Sequence, residues 1–129
     1  MEKTVLVSLS SSENLYLIPP YLSERDKQRI LKAWESSGFK NHIFILSSGT
    51  TSLVGEFKSY VLTKDALLAN AKAVNGFLEA LSNDVWLASL PAYHIGGLSI
   101  YARAYLSGSK VVDHNLSLIH ISEPTRLGM

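Results

Sequence analysis

The sequence contains no cysteine, which excludes disulfide bonds, thiolate metal sites and a cysteine nucleophile. It also has almost no excess of one charge sign, because 12 Lys and Arg residues against 11 Asp and Glu residues give a net charge of +1. No stretch concentrates basic residues between aromatic ones, and no apolar run approaches the roughly 18 residues of a membrane span. These absences predict neither a nucleic-acid partner nor a membrane span.

Metal-binding and export signals are missing as well. The four histidines have no ligand-like spacing to one another: His42, His94, His114 and His120. The first residues, MEKTVLVSLSSSE, include a short apolar patch but no signal-peptide cleavage site. With 129 residues, of which 47% are apolar and 18% charged, we expect one small soluble domain in the cytoplasm without a metal site of its own.

Alternating helix and strand patterns follow along the chain. Residues 23–37 have an N-cap serine, acidic residues in the first turn and apolar residues at helical spacing, which predicts a helix closed by Gly38. HIFIL at 42–46 and KSYVLT at 58–63 are typical of short strands. Thr63 is the expected N-cap of a second helix over 64–81.

The last third of the chain repeats this alternation. VWLASLP at 85–91 is almost continuously apolar, which predicts a mostly buried strand. We expect a Gly-Gly turn at 96–97, a helix through Ile100 and Leu106 that stops at Gly108, and a strand at 110–112. Strands that alternate with helices favour an α/β architecture with crossover connections.

The segment SSGTTSLVGEFKS, which starts at Ser47, has the composition of a phosphate-binding loop. A Walker-type loop requires a glycine, four residues and then Gly-Lys-Ser/Thr. Here five residues separate Gly49 from Gly55, and Lys58 follows Gly55 by three, so the spacing excludes that geometry. Glycine and hydroxyl residues still suit an anion, because backbone amides approach it closely and hydroxyls add donors. A polar surface loop is the alternative.

SSGTTS resembles the phosphate loop of the adenylate-forming family, which includes acyl-CoA synthetases, luciferases and peptide-synthetase adenylation domains. Ser52 stands at the family's second glycine, and LVGE is an apparent insertion before Lys58. The resemblance implies that Lys58 is a catalytic cation. It also implies that six loop residues bind the ATP phosphates: Ser47, Ser48, Gly49, Thr50, Thr51 and Ser52.

LPAYHIGGLSIYARAYLSGSKVV, which starts at Leu90, resembles the family's aromatic-histidine segment. The resemblance implies that Tyr93, His94, Gly96 and Gly97 lie at the acyl-substrate pocket, and that His94 is a catalytic residue that helps to bind the carboxylate. The alternative is a single histidine at the end of a strand whose hydrogen bonds are satisfied within the fold and which binds no ligand. Together with Arg103, this segment most resembles the o-succinylbenzoate–CoA ligases of menaquinone synthesis.

The family activates a carboxylate with ATP and Mg²⁺ to an acyl adenylate, and its CoA ligases then form a CoA thioester. The resemblance covers about residues 40–112 and implies an incomplete fragment of the family's large N-terminal α/β domain. The family's Tyr-Gly-x-Thr-Glu and Thr-Gly-Asp motifs find no counterpart, so we expect the chain alone to be inactive. A non-catalytic nucleotide-binding or phosphate-binding α/β module is the alternative function.

The segment LSLIHISEPTR at 116–126 resembles one reading frame of the transposon mosaic-end adapter used to prepare DNA sequencing libraries. We therefore expect residues 1–115 to be a partial AMP-binding domain and residues 116–129 to be an adapter-derived, non-native tail. A genuine strand and loop is the alternative for this segment.

Overall fold

The computed structural model describes residues 2–47 and 57–119. Within these ranges helices and strands alternate, which confirms the predicted α/β class. The helices are α1 Glu2–Leu9, α2 Glu24–Glu35, α3 Lys64–Leu78 and α4 Ile95–Ser107. The strands are β1 Leu15–Leu17, β2 His42–Leu46, β3 Ser59–Thr63, β4 Val85–Leu87, β5 Lys110–Val112 and β6 Leu118–Ile119.

Two of the helices begin as their capping residues predict. The Ser23 side chain accepts a hydrogen bond from the Asp26 amide at the start of α2. The Thr63 side chain accepts one from the Ala66 amide at the start of α3. Helix α3 ends three residues before the predicted end, because Glu79 adopts a left-handed conformation and its amide returns to carbonyls of the last turn.

The first sheet has the order β1-β2-β3. Strand β1 is parallel to β2, with Leu15 opposite Ile43, whereas β3 is antiparallel to β2, with Ser59 opposite Leu46. The sequence patterns did not predict β1 or α1. Both depend on distant parts of the chain, since β1 pairs with β2 and α1 packs against α4.

The first sheet is covered on both faces. On one face, helix α2 packs against β2 through a cluster of four buried residues: Ile30, Trp34, Phe44 and Leu46. On the other face lies the main core, to which α1, α3 and α4 all contribute. This core includes Val5, Leu17, Ile43, Ile45, Leu67, Ala71, Leu98 and Tyr101. The side chains of β2 therefore alternate between two apolar layers.

The second sheet has the order β4-β5-β6, with β4 parallel to β5. The prediction of a mostly buried strand over 85–91 is wrong in length and in burial. Strand β4 has three residues, and Val85 and Leu87 are 60% and 59% exposed. The reason is that β4 presents only one side, with Trp86, to the core, which leaves the face that carries Val85 and Leu87 exposed.

The predicted Gly-Gly turn is also wrong, since Gly96 and Gly97 lie in the first turn of α4. The predicted stop of that helix is confirmed, because Gly108 is its left-handed C-cap with φ 71°. Strand β6 falls within the adapter-like segment, whose origin stays a prediction, and residues 120–129 lie outside the described part of the chain. No helix in the described part is both long and apolar enough to cross a bilayer.

Candidate functional site

The β2–β3 hairpin holds the two ends of the candidate phosphate loop side by side. The Ser47 amide donates a hydrogen bond of 2.9 Å to the Lys58 carbonyl oxygen, which continues the strand pairing by one step. The interior of the loop, residues 48–56, lies outside the described residues. The assignments of Ser48, Gly49, Thr50, Thr51 and Ser52 to ATP phosphates therefore stay predictions.

Lys58 is exposed between two anchored neighbours. Phe57 packs against the α2 cluster, and the guanidinium carbon of Arg29 lies 5.8 Å from its ring centroid. The Ser59 hydroxyl accepts a hydrogen bond of 2.8 Å from the Trp34 indole. Lys58 itself lies just before β3 and is exposed. Within residues 2–47 and 57–119, no ion pair engages its ammonium group.

The aromatic-histidine segment connects β4 to α4. His94 is the N-cap residue of α4, and its carbonyl oxygen accepts the first helical hydrogen bond, from Leu98 at 2.9 Å. Its side chain makes no capping bond and is only half-buried, beside the Tyr93 ring at a centroid distance of 4.9 Å. No hydrogen bond between described residues engages the His94 imidazole.

The two glycines after His94 have different surroundings. A Cβ atom on Gly97 would clash with the carbonyl oxygens of Leu90 and Pro91, so the start of α4 packs directly on that backbone. A Cβ atom on Gly96 would meet only the flexible end of the Leu90 side chain, at 3.1 Å. The structure thus gives Gly97 a packing role, and the role of both glycines at the acyl pocket stays a prediction.

Sequence reasoning missed Tyr21, which contacts the same segment. Its ring meets the Tyr93 ring edge-on, with a centroid distance of 6.0 Å and an interplanar angle of 69°. Tyr21 lies in the loop after β1. Because β1 and β2 are parallel, this loop and the candidate phosphate loop both follow the carboxyl ends of their strands, on the same side of the sheet. No local motif marks Tyr21, since its partner lies far away in the sequence.

The structure therefore forms two groups of candidate residues. Ser47 and Lys58 meet at the base of the hairpin, whereas Tyr93, His94, Gly96 and Gly97 form a second group at the start of α4. Among the described residues, no cluster of three histidine or acidic side chains could hold a metal ion.

Arg103, which contributes to the subfamily resemblance, lies on α4. Its guanidinium carbon is 6.0 Å from the Trp86 ring centroid, and its carbonyl oxygen accepts a hydrogen bond from the Asn75 side chain at 2.9 Å. Arg103 thus contacts β4 and α3 and contributes to the packing around α4.

One buried cation was also missed. The Lys64 ammonium group donates hydrogen bonds to the carbonyl oxygen of Ser8, in the last turn of α1, and to those of Ser11 and Glu13, which follow the helix. Lys64 is 2% exposed, and burial lowers its pKa from the usual 10.5, against the attraction of the Glu13 carboxylate. Lys64 thereby fastens the start of α3 to the end of α1.

Curated relatives share part of this chain. A 2-succinylbenzoate–CoA ligase of Staphylococcus epidermidis is 39% identical over 80 residues, which are 58% of this chain and 16% of the relative. The ligase of Lactococcus lactis subsp. lactis is 34% identical over 80 residues, which are 60% of this chain and 18% of the relative. The ligase of Bacillus cytotoxicus is 31% identical over 99 residues, 74% of this chain and 20% of the relative.

These similarities confirm the predicted resemblance to AMP-forming acid–CoA ligases. The chain spans only 16% to 20% of the length of these relatives. No family model matches the chain, and no solved structure matches it.

Proposed function

We propose that this chain is part of an adenylation domain that activates 2-succinylbenzoate, or a closely related carboxylate, for transfer to CoA. The observation that carries the proposal is the similarity to 2-succinylbenzoate–CoA ligases, which extends over 58% to 74% of the chain. The exposed Lys58 at the end of the candidate phosphate loop and the half-buried His94 at the start of α4 support it.

In the proposed reaction, a carboxylate oxygen attacks the α-phosphorus of ATP, and the bond to the bridging oxygen of pyrophosphate breaks. The CoA thiol then attacks the acyl carbon, so that the thioester forms and AMP leaves. Negative charge grows on the departing pyrophosphate, and donors held around it stabilise the transition state. Lys58 would supply a positive charge there, next to the amides and hydroxyls of the loop.

His94 would position the carboxylate. Its backbone is fixed as the N-cap of α4, so its imidazole projects from a rigid point at the end of a helix. If one ring nitrogen donates a hydrogen bond to a carboxylate oxygen, it orients the carboxylate toward the α-phosphorus. His94 would then raise the reaction rate by positioning the substrate. The neighbouring Tyr93 ring, in contact with the imidazole, restricts its rotation.

A magnesium ion would neutralise the phosphates when bound. The described residues do not include a set of three carboxylate or imidazole ligands for it. We propose further that residues 1–115 are the native part of this domain and that residues 116–129 are an adapter-derived tail. Because the chain spans at most 20% of the relatives named above, we expect it to be inactive alone.

A chimera tests the activity. In the chimera, residues of this chain replace the matching segment of the Lactococcus lactis ligase. Pyrophosphate release and CoA thioester formation are then measured with 2-succinylbenzoate, ATP, Mg²⁺ and CoA. We expect both products from the chimera and neither from the isolated chain. Lys58→Met in the chimera should lower kcat by about tenfold or more, because it removes a charge that acts in the transition state.

Lys72→Met is the matched control, since Lys72 is an exposed lysine on α3, away from the hairpin. A folded chimera that binds ATP but releases no pyrophosphate would favour the alternative function, a non-catalytic nucleotide-binding module. A chimera whose activity is equally insensitive to Lys58→Met and Lys72→Met would remove Lys58 from the proposal.

A further inference from the structure

Tyr21 combines strong exposure with a defined ring contact. Its side chain is 70% exposed, yet its ring meets the Tyr93 ring edge-on at 6.0 Å. A single exposed aromatic residue is ordinary on a protein surface. Tyr21 differs from such a residue because its ring extends a row of rings at a candidate site.

The backbone before Tyr21 restrains its position. Pro19 is buried and Pro20 follows it, so two fixed φ angles lead into the tyrosine. The Leu22 amide closes the turn by donating to the Pro19 carbonyl oxygen at 3.4 Å. The ring therefore extends from a restrained turn on the side of the sheet where the carboxyl ends of β1 and β2 lie.

Tyr21, Tyr93 and His94 form a continuous row of rings, with centroid distances of 6.0 Å and 4.9 Å between neighbours. The row ends in an imidazole that no described residue engages by hydrogen bonding, whereas its other end is an exposed phenol ring. This order suits an aromatic carboxylate, whose acid group would meet the imidazole while its ring packs against tyrosine.

We propose that Tyr21 contacts the aromatic ring of the carboxylate substrate and makes the site prefer aromatic over aliphatic acids. This inference rests on the proposed function, because it assigns the acyl group to the Tyr93-His94 segment. Edge-to-face and offset ring contacts have a preferred geometry that an aliphatic acid cannot satisfy. A tyrosine loses little conformational freedom when it makes such a contact, since it has only two side-chain torsions.

The test is equilibrium binding to the purified 129-residue chain, by ligand-observed NMR or calorimetry. The probes are 2-succinylbenzoate and the aliphatic dicarboxylate hexanedioate. We expect Tyr21→Ser to weaken 2-succinylbenzoate binding by about threefold to tenfold, the range of a lost ring contact, and hexanedioate binding by less than about twofold. Tyr21→Phe should retain wild-type affinity, because the ring and not the hydroxyl makes the contact.

Tyr60→Ser is the matched control, since Tyr60 is similarly exposed at 57% but lies on β3. Equal binding of 2-succinylbenzoate by wild type and Tyr21→Ser would overturn the inference, as would equal weakening by Tyr21→Ser and Tyr60→Ser. A folded wild-type chain that does not bind 2-succinylbenzoate would also overturn the inference.

ATP titrations of the same proteins separate this inference from the proposed function. If ATP binds and the chimera is active while Tyr21→Ser has no effect on 2-succinylbenzoate, only the role of Tyr21 fails. If Tyr21→Ser weakens the aromatic acid selectively while the chimera is inactive, only the ligase function fails.

Discussion

Strands β2 and β4 are both apolar and both have a parallel neighbour, but their surroundings differ. Strand β2 lies between β1 and β3, and four of its five residues are buried between α2 and the main core. Within residues 2–47 and 57–119, strand β4 pairs only with β5, and it leaves Val85 and Leu87 exposed. An apolar run therefore predicts a strand, whereas the burial of its faces depends on which elements the topology brings to each side.

The largest expected effect is at the centre of β2. Phe44 is fully buried, and its ring contacts those of Tyr16, Trp34 and Phe39. Phe44→Ala removes these contacts and leaves a cavity, so we expect the free energy of unfolding to fall by about 3–5 kcal/mol. Urea denaturation measures the change.

Phe77→Ala is the control for this prediction, because Phe77 on α3 is 86% exposed. Its loss should cost less than about 0.5 kcal/mol, the usual limit for surface positions. Similar losses for the two phenylalanines would contradict the view that β2 is the central element of the core.

The next effect concerns the connection from β4 to α4. Gly97→Ala places a methyl group against the Leu90 and Pro91 carbonyl oxygens, and the helix must move to relieve the clash. We expect a loss of about 1–3 kcal/mol, as for other overpacked sites. Gly96→Ala is the matched change, and should be neutral or stabilising, because alanine favours the helix and the Leu90 side chain can move. Urea midpoints that rank the two variants in the opposite order would show that α4 does not start as described.

Local chemistry made α2 and α3 predictable, whereas the misses depend on distant contacts. Ser23 and Thr63 cap their helices through amides three residues away, so sequence alone reveals them. The close approach at Gly97 depends instead on the path of the preceding loop. The motifs indicated Lys58 and His94, but Tyr21 depends on a contact between two loops that no local pattern encodes.

A smaller effect is expected at Lys64, whose ammonium group satisfies three carbonyl oxygens next to α1. Lys64→Met leaves them without this donor but also removes a buried charge, so we expect a net loss of about 1–2 kcal/mol at pH 7. Lys72→Met, at an exposed position on α3, should have little effect. An unchanged urea midpoint for Lys64→Met would show that the three contacts do not stabilise the fold.

The pH dependence of the wild type relative to Lys64→Met tests the same contact. Burial lowers the pKa of Lys64 in the folded chain below 10.5, so between that lowered pKa and 10.5 the unfolded chain binds more protons. The difference in unfolding free energy, wild type minus variant, should therefore rise with pH in this window. A falling difference would mean that the carbonyl contacts and Glu13 outweigh desolvation and raise the pKa.

The smallest effect is expected at the exposed face of β4. Leu87→Thr introduces a β-branched residue suited to a strand and removes little buried surface, so the free energy of unfolding should change by less than about 0.5 kcal/mol. The same substitution at Leu17 of β1, which is 1% exposed, should cost several times more, because it places a hydroxyl in the main core. A large loss at Leu87 would mean that another surface covers it in solution. Dependence of that loss on protein concentration would identify the surface as a second copy of the chain, since an unpaired strand edge with exposed apolar side chains favours pairing between molecules.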